Sequence, residues 1–209
     1  MKLSILSLIC FLQYFTLILD ASTKNSNVSL GIDQIEADKF AVLKGKRVGL
    51  ITNQTGVNSE GLKTRRVLFN SGEVNLVALY TPEHGLDGDE IAGKWVQSRI
   101  DKLTGLKAYS LYGASRKPDL DMLKGIDTLV FDIQDVGARC YTYVSTMALC
   151  MEAAGENGID FIVLDRPNPV GGWIVEGPPM TKQWISFVGM FPVPFRHGMT
   201  AVSYTHLTL

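Results

Sequence analysis

The chain has 209 residues, 46% of them hydrophobic and 20% charged, enough for one globular domain with a sizeable core and a fragment of a second. Its formal net charge of -1 offers no broad basic field, so nucleic acid is not an expected partner. Its three cysteines, one of them (Cys10) inside an apolar N-terminal stretch, cannot build a disulfide scaffold.

Lys2, the apolar run Leu3–Leu19 and the polar turn Asp20-Ala21-Ser22 predict a secretory signal peptide over residues 1–22, followed by a tail over 23–34. The expected location is therefore periplasmic or extracellular, with no stable membrane partner after signal removal. A retained anchor is the lesser alternative, because the run approaches spanning length. Ile35, Phe40, Val42 and Leu43 have helical spacing and predict a helix over 35–43. Arg47–Ile51 reads as the first strand. Asn58 or Ser59 suits the cap of a helix from about 60 to 70, with Leu62, Val67 and Leu68 or Phe69 inward and Gly72 stopping it. Leu76–Tyr80 is the second strand, and the polar stretch 87–99 reads as a loop able to fold over a site. Ala108–Leu111 is the third strand, and Pro118 opens a short helix ending at Leu123. Thr128–Ile133, nearly all apolar, suits a strand buried on both faces. Residues 141–156 predict a long helix with Met147, Leu149, Cys150 and Ala153 inward, and Cys140 is expected on that same helix. Phe161–Leu164 is the fifth strand. Strands alternating with helices predict an α/β fold over 35–170: a Rossmann-like parallel sheet with flanking helices. Beyond Pro169, glycine and proline clusters predict irregular structure over 171–200, leading away from the sheet and opening a smaller second domain that is truncated here. Residues 201–209 carry no helix or strand signature and read as an atypical terminus.

Each apolar run ends in a polar or glycine-bearing cluster, which is where open α/β sheets bind ligands. Glu83-His84, between Pro82 and Gly85, sets a carboxylate beside an imidazole at a strand end. Burial in a cleft would raise the acid's pKa and suit it to proton donation, and the imidazole would orient it. The alternative is a capping turn with a packed histidine. Asp132, closing a buried strand, either points into the site or holds a backbone amide; Asp135 either acts there or orders its loop through Asx hydrogen bonds. Arg139 either meets a ligand or pairs with a neighbouring aspartate, and Tyr141 offers a hydroxyl, a stacking ring or a core contact. In Asp165-Arg166-Pro167-Asn168-Pro169, the fork of Arg166 suits a ligand carboxylate. Asn53, in Thr52-Asn53-Gln54-Thr55-Gly56, suits a neutral hydroxylated ligand, because the glycine pattern of phosphate loops is absent. His197 beside Arg196 is a further candidate. No cofactor or metal is expected.

Together these segments resemble one family. Gly45–Asn53, Pro82-Glu83-His84-Gly85, Asp132–Arg139, Tyr141-Thr142-Tyr143, Asp165–Pro169 and Arg196–Thr200 are similar to the NamZ-type exo-β-N-acetylmuramidases, in order, from about Gly31 to Thr200. The resemblance implies a Rossmann-like domain followed by a smaller domain, with the active site between them. It also implies release of terminal N-acetylmuramic acid from the non-reducing end of peptidoglycan fragments. Carried over by motif, the catalytic glutamate falls on Glu83 with His84 beside it. Cys140 departs from the family's usual aromatic, and residues 201–209 depart altogether, so an artefactual end and an inactive fragment are expected. In the glycosidase reading Glu83 protonates the leaving oxygen. Asp132, Asp135 or Asp165 stabilises the cationic centre or activates water, or the sugar's acetamido group assists instead. Arg139 or Arg166 grips the lactyl carboxylate, while Asn53, Tyr141, Asn168 and His197 contact the sugar. The alternatives are a non-catalytic muropeptide-binding module and a metal-assisted hydrolase built on His84, Asp132 and Asp135.

Overall fold

The computed structural model describes residues 28–207. The expected signal peptide lies outside the described residues. Six strands form one sheet in the order β3-β4-β2-β1-β5-β6. They are β1 (Arg47–Thr52), β2 (Asn75–Thr81), β3 (Arg99–Ile100), β4 (Lys107–Ser110), β5 (Thr128–Asp132) and β6 (Asp160–Val163). All pairings are parallel except that of β3 with β4. The helices are α1 (Gly31–Ala37), α2 (Thr64–Asn70), α3 (Leu120–Leu123), α4 (Tyr143–Glu156) and α5 (Ala201–Tyr204). None of the described helices is long and apolar enough to cross a membrane.

The strands are apolar on both faces because helices or loops cover both. Alternate residues divide between two cores. Val48, Leu50, Leu79 and Val130 pack with Ile32, Leu43, Leu68 and Leu164 on one side. Ile51, Ala78, Tyr80, Leu129 and Phe131 pack with Val144, Met147, Cys150 and Ala153 of α4 on the other. The α/β expectation holds, and the chain reverses direction across the sheet at β1, with β2 and β4 on one side and β5 and β6 on the other.

Several boundaries shift for tertiary reasons. α1 starts at Gly31, inside the expected tail, because the Gly31 N–H donates to the Asp165 carbonyl at 2.9 Å. Leu30 carries its cap, its N–H bonded to Asp33 at 3.0 Å. α2 starts at Thr64 rather than near 60. Asn58 accepts from the N–H groups of Glu60 and Leu62, which holds the preceding segment in a turn instead. Leu62 and Phe69 are exposed; Leu68 alone of that set is fully buried. Inside the expected loop 87–99, Arg99 begins the short antiparallel edge strand β3. Cys140 lies in the turn before α4 and is exposed, while Cys150 is buried on the helix.

Residues 171–200 do not lead away from the sheet. They double back across α4, where Phe191 and Val193 enter its core. The segment is tied to the loop after β5 by the Arg139 N–H to Phe195 carbonyl bond at 2.8 Å. The stretch expected to lack structure forms α5, whose Tyr204 is buried against Phe191 at 4.8 Å between ring centroids.

Close backbone packing where the first strand leaves the sheet requires Gly56. A Cβ there would collide with Thr52 Oγ1 and sit 2.9 Å from the Asp132 carbonyl oxygen. Gly56→Ala is expected to destabilise the fold by about 1–3 kcal/mol, read as a lower urea midpoint with an unchanged slope.

Candidate active site

Glu83 and His84 stand in the turn that follows β2. His84 adopts a left-handed backbone conformation with φ 68°, unusual for a residue with a side chain. Its Nδ1 lies 3.0 Å from the Glu90 carbonyl oxygen, which therefore accepts from it. The Glu83 carboxylate is half-buried and held at both oxygens. Oε1 accepts the Gly93 N–H at 2.8 Å and Oε2 accepts the Thr142 hydroxyl at 3.3 Å. Thr142 is the residue that precedes α4, so the positive end of that helix faces the carboxylate. Glu83, His84, Cys140, Tyr141, Thr142 and Tyr143 line a hollow of about 160 Å³.

Two tyrosines complete the surroundings of Glu83. Tyr112, in the segment after β4, lies near Glu83; burial, and then the neighbouring carboxylate, raise its pKa. Tyr143 is buried, with Gln54, Asn53 and Glu83 around its hydroxyl; burial raises its pKa and the Gln54 and Asn53 contacts pull against it. Asn53 Oδ1 accepts from the N–H and hydroxyl of Thr55, whereas its Nδ2 is buried without a well-aligned partner among the described residues.

The loop over this hollow is anchored by charge. Asp87 bonds Lys63 at 2.7 Å, Arg65 at 2.5 Å, and Arg99. Partial burial opposes ionisation of Asp87, but the three cations outweigh it and hold the carboxyl far below the usual range.

The other predicted site residues are engaged elsewhere. Asp132 is fully buried and takes a bidentate grip from Arg166, at 2.6 and 2.9 Å, plus the Thr64 hydroxyl at 2.5 Å. Burial raises its pKa, and Arg166 and Thr64 oppose that rise. Arg166 also donates to the Val57 carbonyl at 2.7 Å, so neither partner reaches solvent. Asp135 accepts the Gly137 N–H at 2.9 Å and lies 3.2 Å from Nε2 of the buried His197, without the alignment of a full hydrogen bond. Asp165 accepts the Thr200 hydroxyl and the Val202 N–H, capping α5. Asn168 clasps the Met199 carbonyl and the Val170 N–H. Arg139 donates to the carbonyls of Pro178 and Val193, at 2.7 and 2.6 Å.

The structure thus gathers Glu83, His84 and Tyr141, with Asn53 behind them, and leaves Asp132, Asp135, Asp165, Arg166, Asn168 and His197 in supporting contacts. His84, Asp132 and Asp135 do not come together: no cluster of three or more His, Cys, Asp or Glu suited to a metal ion occurs among the described residues. A larger hollow of about 770 Å³ lies between residues 136–139 and the strand-like segment around Glu176 and Arg196. Its lining is mainly apolar and excludes Glu83, which faces the smaller hollow. Thr142 and Tyr143 also line that hollow, and Tyr112 lies near Glu83. The strand-end rule alone points to Tyr112, but nothing local places it beside Glu83.

Residues 48–208 match the family described as Exo-beta-N-acetylmuramidase NamZ, N-terminal, and the chain belongs to that family. It is 52% identical over 179 residues to the peptidoglycan beta-N-acetylmuramidase NamZ of Bacillus subtilis (strain 168), covering 86% of this chain and 43% of that protein. Among solved structures, it is similar to two DUF1343-family proteins of Bacteroides fragilis. One is 50% identical with a TM-score of 0.78, over 85% of this chain and 44% of the other. The second is 37% identical with a TM-score of 0.69, over 84% and 45%. The chain therefore spans less than half the length of these relatives. The family match runs through α5, the stretch that had read as foreign to the family.

Two outcomes follow from the supporting contacts. Arg166→Met leaves the Asp132 carboxylate buried without its cation and is expected to cost about 3–5 kcal/mol, seen as a large fall in thermal midpoint. The folded pKa of Asp87 lies below its unfolded value of about 3.9, so its triad stabilises the fold above about pH 4 and loses that contribution as pH falls further. Asp87→Asn should flatten the acid limb of stability against pH, followed by urea unfolding between about pH 5 and 2.5.

Proposed function

We propose that the chain carries the acid-bearing domain of an exported hydrolase that removes terminal N-acetylmuramic acid from the non-reducing end of peptidoglycan fragments, in cell-wall turnover. The observation that carries this reading is Glu83: a half-buried carboxylate at a strand end, fixed at both oxygens and lining a hollow. The family membership and the name of the Bacillus subtilis relative support the substrate class. The apolar run Leu3–Leu19 supports export.

In this mechanism Glu83, in its acid form, gives its proton to the glycosidic oxygen as the bond from that oxygen to C1 breaks. The cationic charge at C1 needs a partner. Asp132, Asp135 and Asp165 are each bound within the protein, which favours the sugar's own acetamido oxygen as the group that closes onto C1. Water then adds to C1 and reopens that ring, giving its proton to the Glu83 carboxylate and restoring the acid. Thr142 and the Gly93 N–H hold the carboxylate in position through both steps. His84 and Tyr141 border the same hollow, where the imidazole suits a sugar hydroxyl and the exposed ring of Tyr141 suits a sugar face. The hollow is small for a whole saccharide, so it suits the reacting end, with the remainder of the ligand outside it.

Glu83→Gln keeps an oxygen to accept the Gly93 N–H, turns the Thr142 contact round so that the amide NH2 donates to the hydroxyl oxygen, and removes the transferable proton. Assayed in the full-length protein on a chromogenic muramic acid glycoside, it is expected to lose roughly 100- to 10,000-fold in kcat with an unchanged thermal midpoint. Turnover near that of the wild type would remove Glu83 from the acid role.

A further inference from the structure

The proposed substrate differs from N-acetylglucosamine by one group, the lactyl ether whose carboxylate is negative at neutral pH. A preference for muramic acid therefore needs a cation beside the hollow. The two arginines that the sequence offered for this task are committed elsewhere: Arg166 to Asp132 and the Val57 carbonyl, Arg139 to two backbone carbonyls. Arg47 pairs with Asp127, Arg65 and Arg99 with Asp87, and Arg196 with Glu176. Arg66 borders a separate hollow beside Glu36 and Phe40.

Arg116 differs from all of these. It is exposed, and among the described residues its guanidinium meets no carboxylate or carbonyl but two aromatic rings. Its central carbon lies 4.1 Å from the centroid of Phe187 and 5.5 Å from that of Tyr112. Tyr112 in turn lies beside Glu83, whose charge helps to raise the pKa of the tyrosine. One tyrosine ring therefore separates this cation from the carboxylate that lines the hollow. Stacking on a ring face fixes the plane of a guanidinium and leaves its N–H edge available, the geometry a carboxylate accepts in a bidentate contact. The platform is built from distant segments. Tyr112 follows β4, its N–H held by Ser110 at 3.1 Å, and Phe187 comes from the segment that doubles back from 171 to 200.

We propose that Arg116 is the specificity-determining residue that grips the lactyl carboxylate of a terminal N-acetylmuramic acid, a role that rests on the hydrolase reading above. Phe187 and Tyr112 position it. The rival cation is Lys94, exposed beside Gly93 on the loop over the site.

The test compares full-length wild type, Arg116→Met, Arg116→Lys, Phe187→Ala and Lys94→Met on paired chromogenic glycosides of N-acetylmuramic acid and N-acetylglucosamine, with thermal midpoints measured alongside. Arg116→Met should lower kcat/KM for the muramic acid glycoside by roughly 10- to 100-fold, mainly through KM, and leave turnover of the N-acetylglucosamine glycoside, whatever its wild-type rate, unchanged. Arg116→Lys should restore part of that loss, and Phe187→Ala should give a smaller loss with the same sign. Thermal midpoints should stay near wild type for the Arg116 variants, because the side chain is exposed and outside every ion pair. An active wild type whose preference survives Arg116→Met, or falls with Lys94→Met instead, overturns this assignment alone. A wild type inert on both glycosides overturns the hydrolase reading and this assignment with it.

Discussion

The buried pair between Asp132 and Arg166 organises the molecule. In the sheet register Asp132 stands opposite Thr52, so it sits where the first and fifth strands leave the sheet side by side. Arg166 approaches from the loop after β6, Thr64 from the first turn of α2, and the Val57 carbonyl from the segment between β1 and α2. The Thr52 hydroxyl closes the knot on the Asp132 carbonyl at 2.9 Å. Three stretches distant in sequence, 52–64, 132 and 166, therefore converge on one pair of opposite charges withdrawn from water. Such a pair adds little net stability over an apolar substitute, but breaking one side is costly, so it acts chiefly as a constraint on which loops lie together.

That constraint explains where the candidate site lies. Ligands of open α/β sheets ordinarily occupy the crevice where the strand order reverses, here between β1 and β5. In this chain the protein's own side chains fill that crevice. The carboxylate that lines a hollow appears one strand over, at the end of β2, in front of α4. The helix start supplies Thr142, Tyr141 and Tyr143, the loop after β2 supplies the Gly93 N–H, and the Asp87 cluster holds that loop down. The polar groups are thus divided: the buried charges set the frame, and the half-buried Glu83 faces the hollow.

The segment after Pro169 has a similar double part. It lacks regular structure, yet Phe191 and Val193 fill the α4 core and Phe187 stacks on Arg116. Its backbone pairs through Arg196 with both Ala138 and Glu176, and Arg139 fastens it by two carbonyls. Arg139, which the sequence offered as a ligand group, is here the means of fastening an irregular segment to an ordered sheet. An arginine carries several donors in a fixed fork, and backbone carbonyls in irregular structure lack partners of their own.

Much was legible in the residues themselves. Apolar runs of strand length broken by glycine and polar clusters determined the parallel sheet, because a strand covered on both faces must be apolar throughout. The Pro82-Glu83-His84-Gly85 turn marked the carboxylate at a strand end, because proline and glycine fix local backbone whatever surrounds them. What each remaining polar side chain does was settled only by folding. Asp132, Asp135, Asp165 and Arg166 have the composition of a catalytic cluster, and tertiary contacts turned them into caps, clasps and a buried ion pair. Tyr112, Arg116 and Phe187 have no local signature, and they meet only because β4 and the returning segment lie together in space. A charged group's role depends on which partner desolvates or neutralises it, and that partner is chosen by contacts between distant parts of the chain.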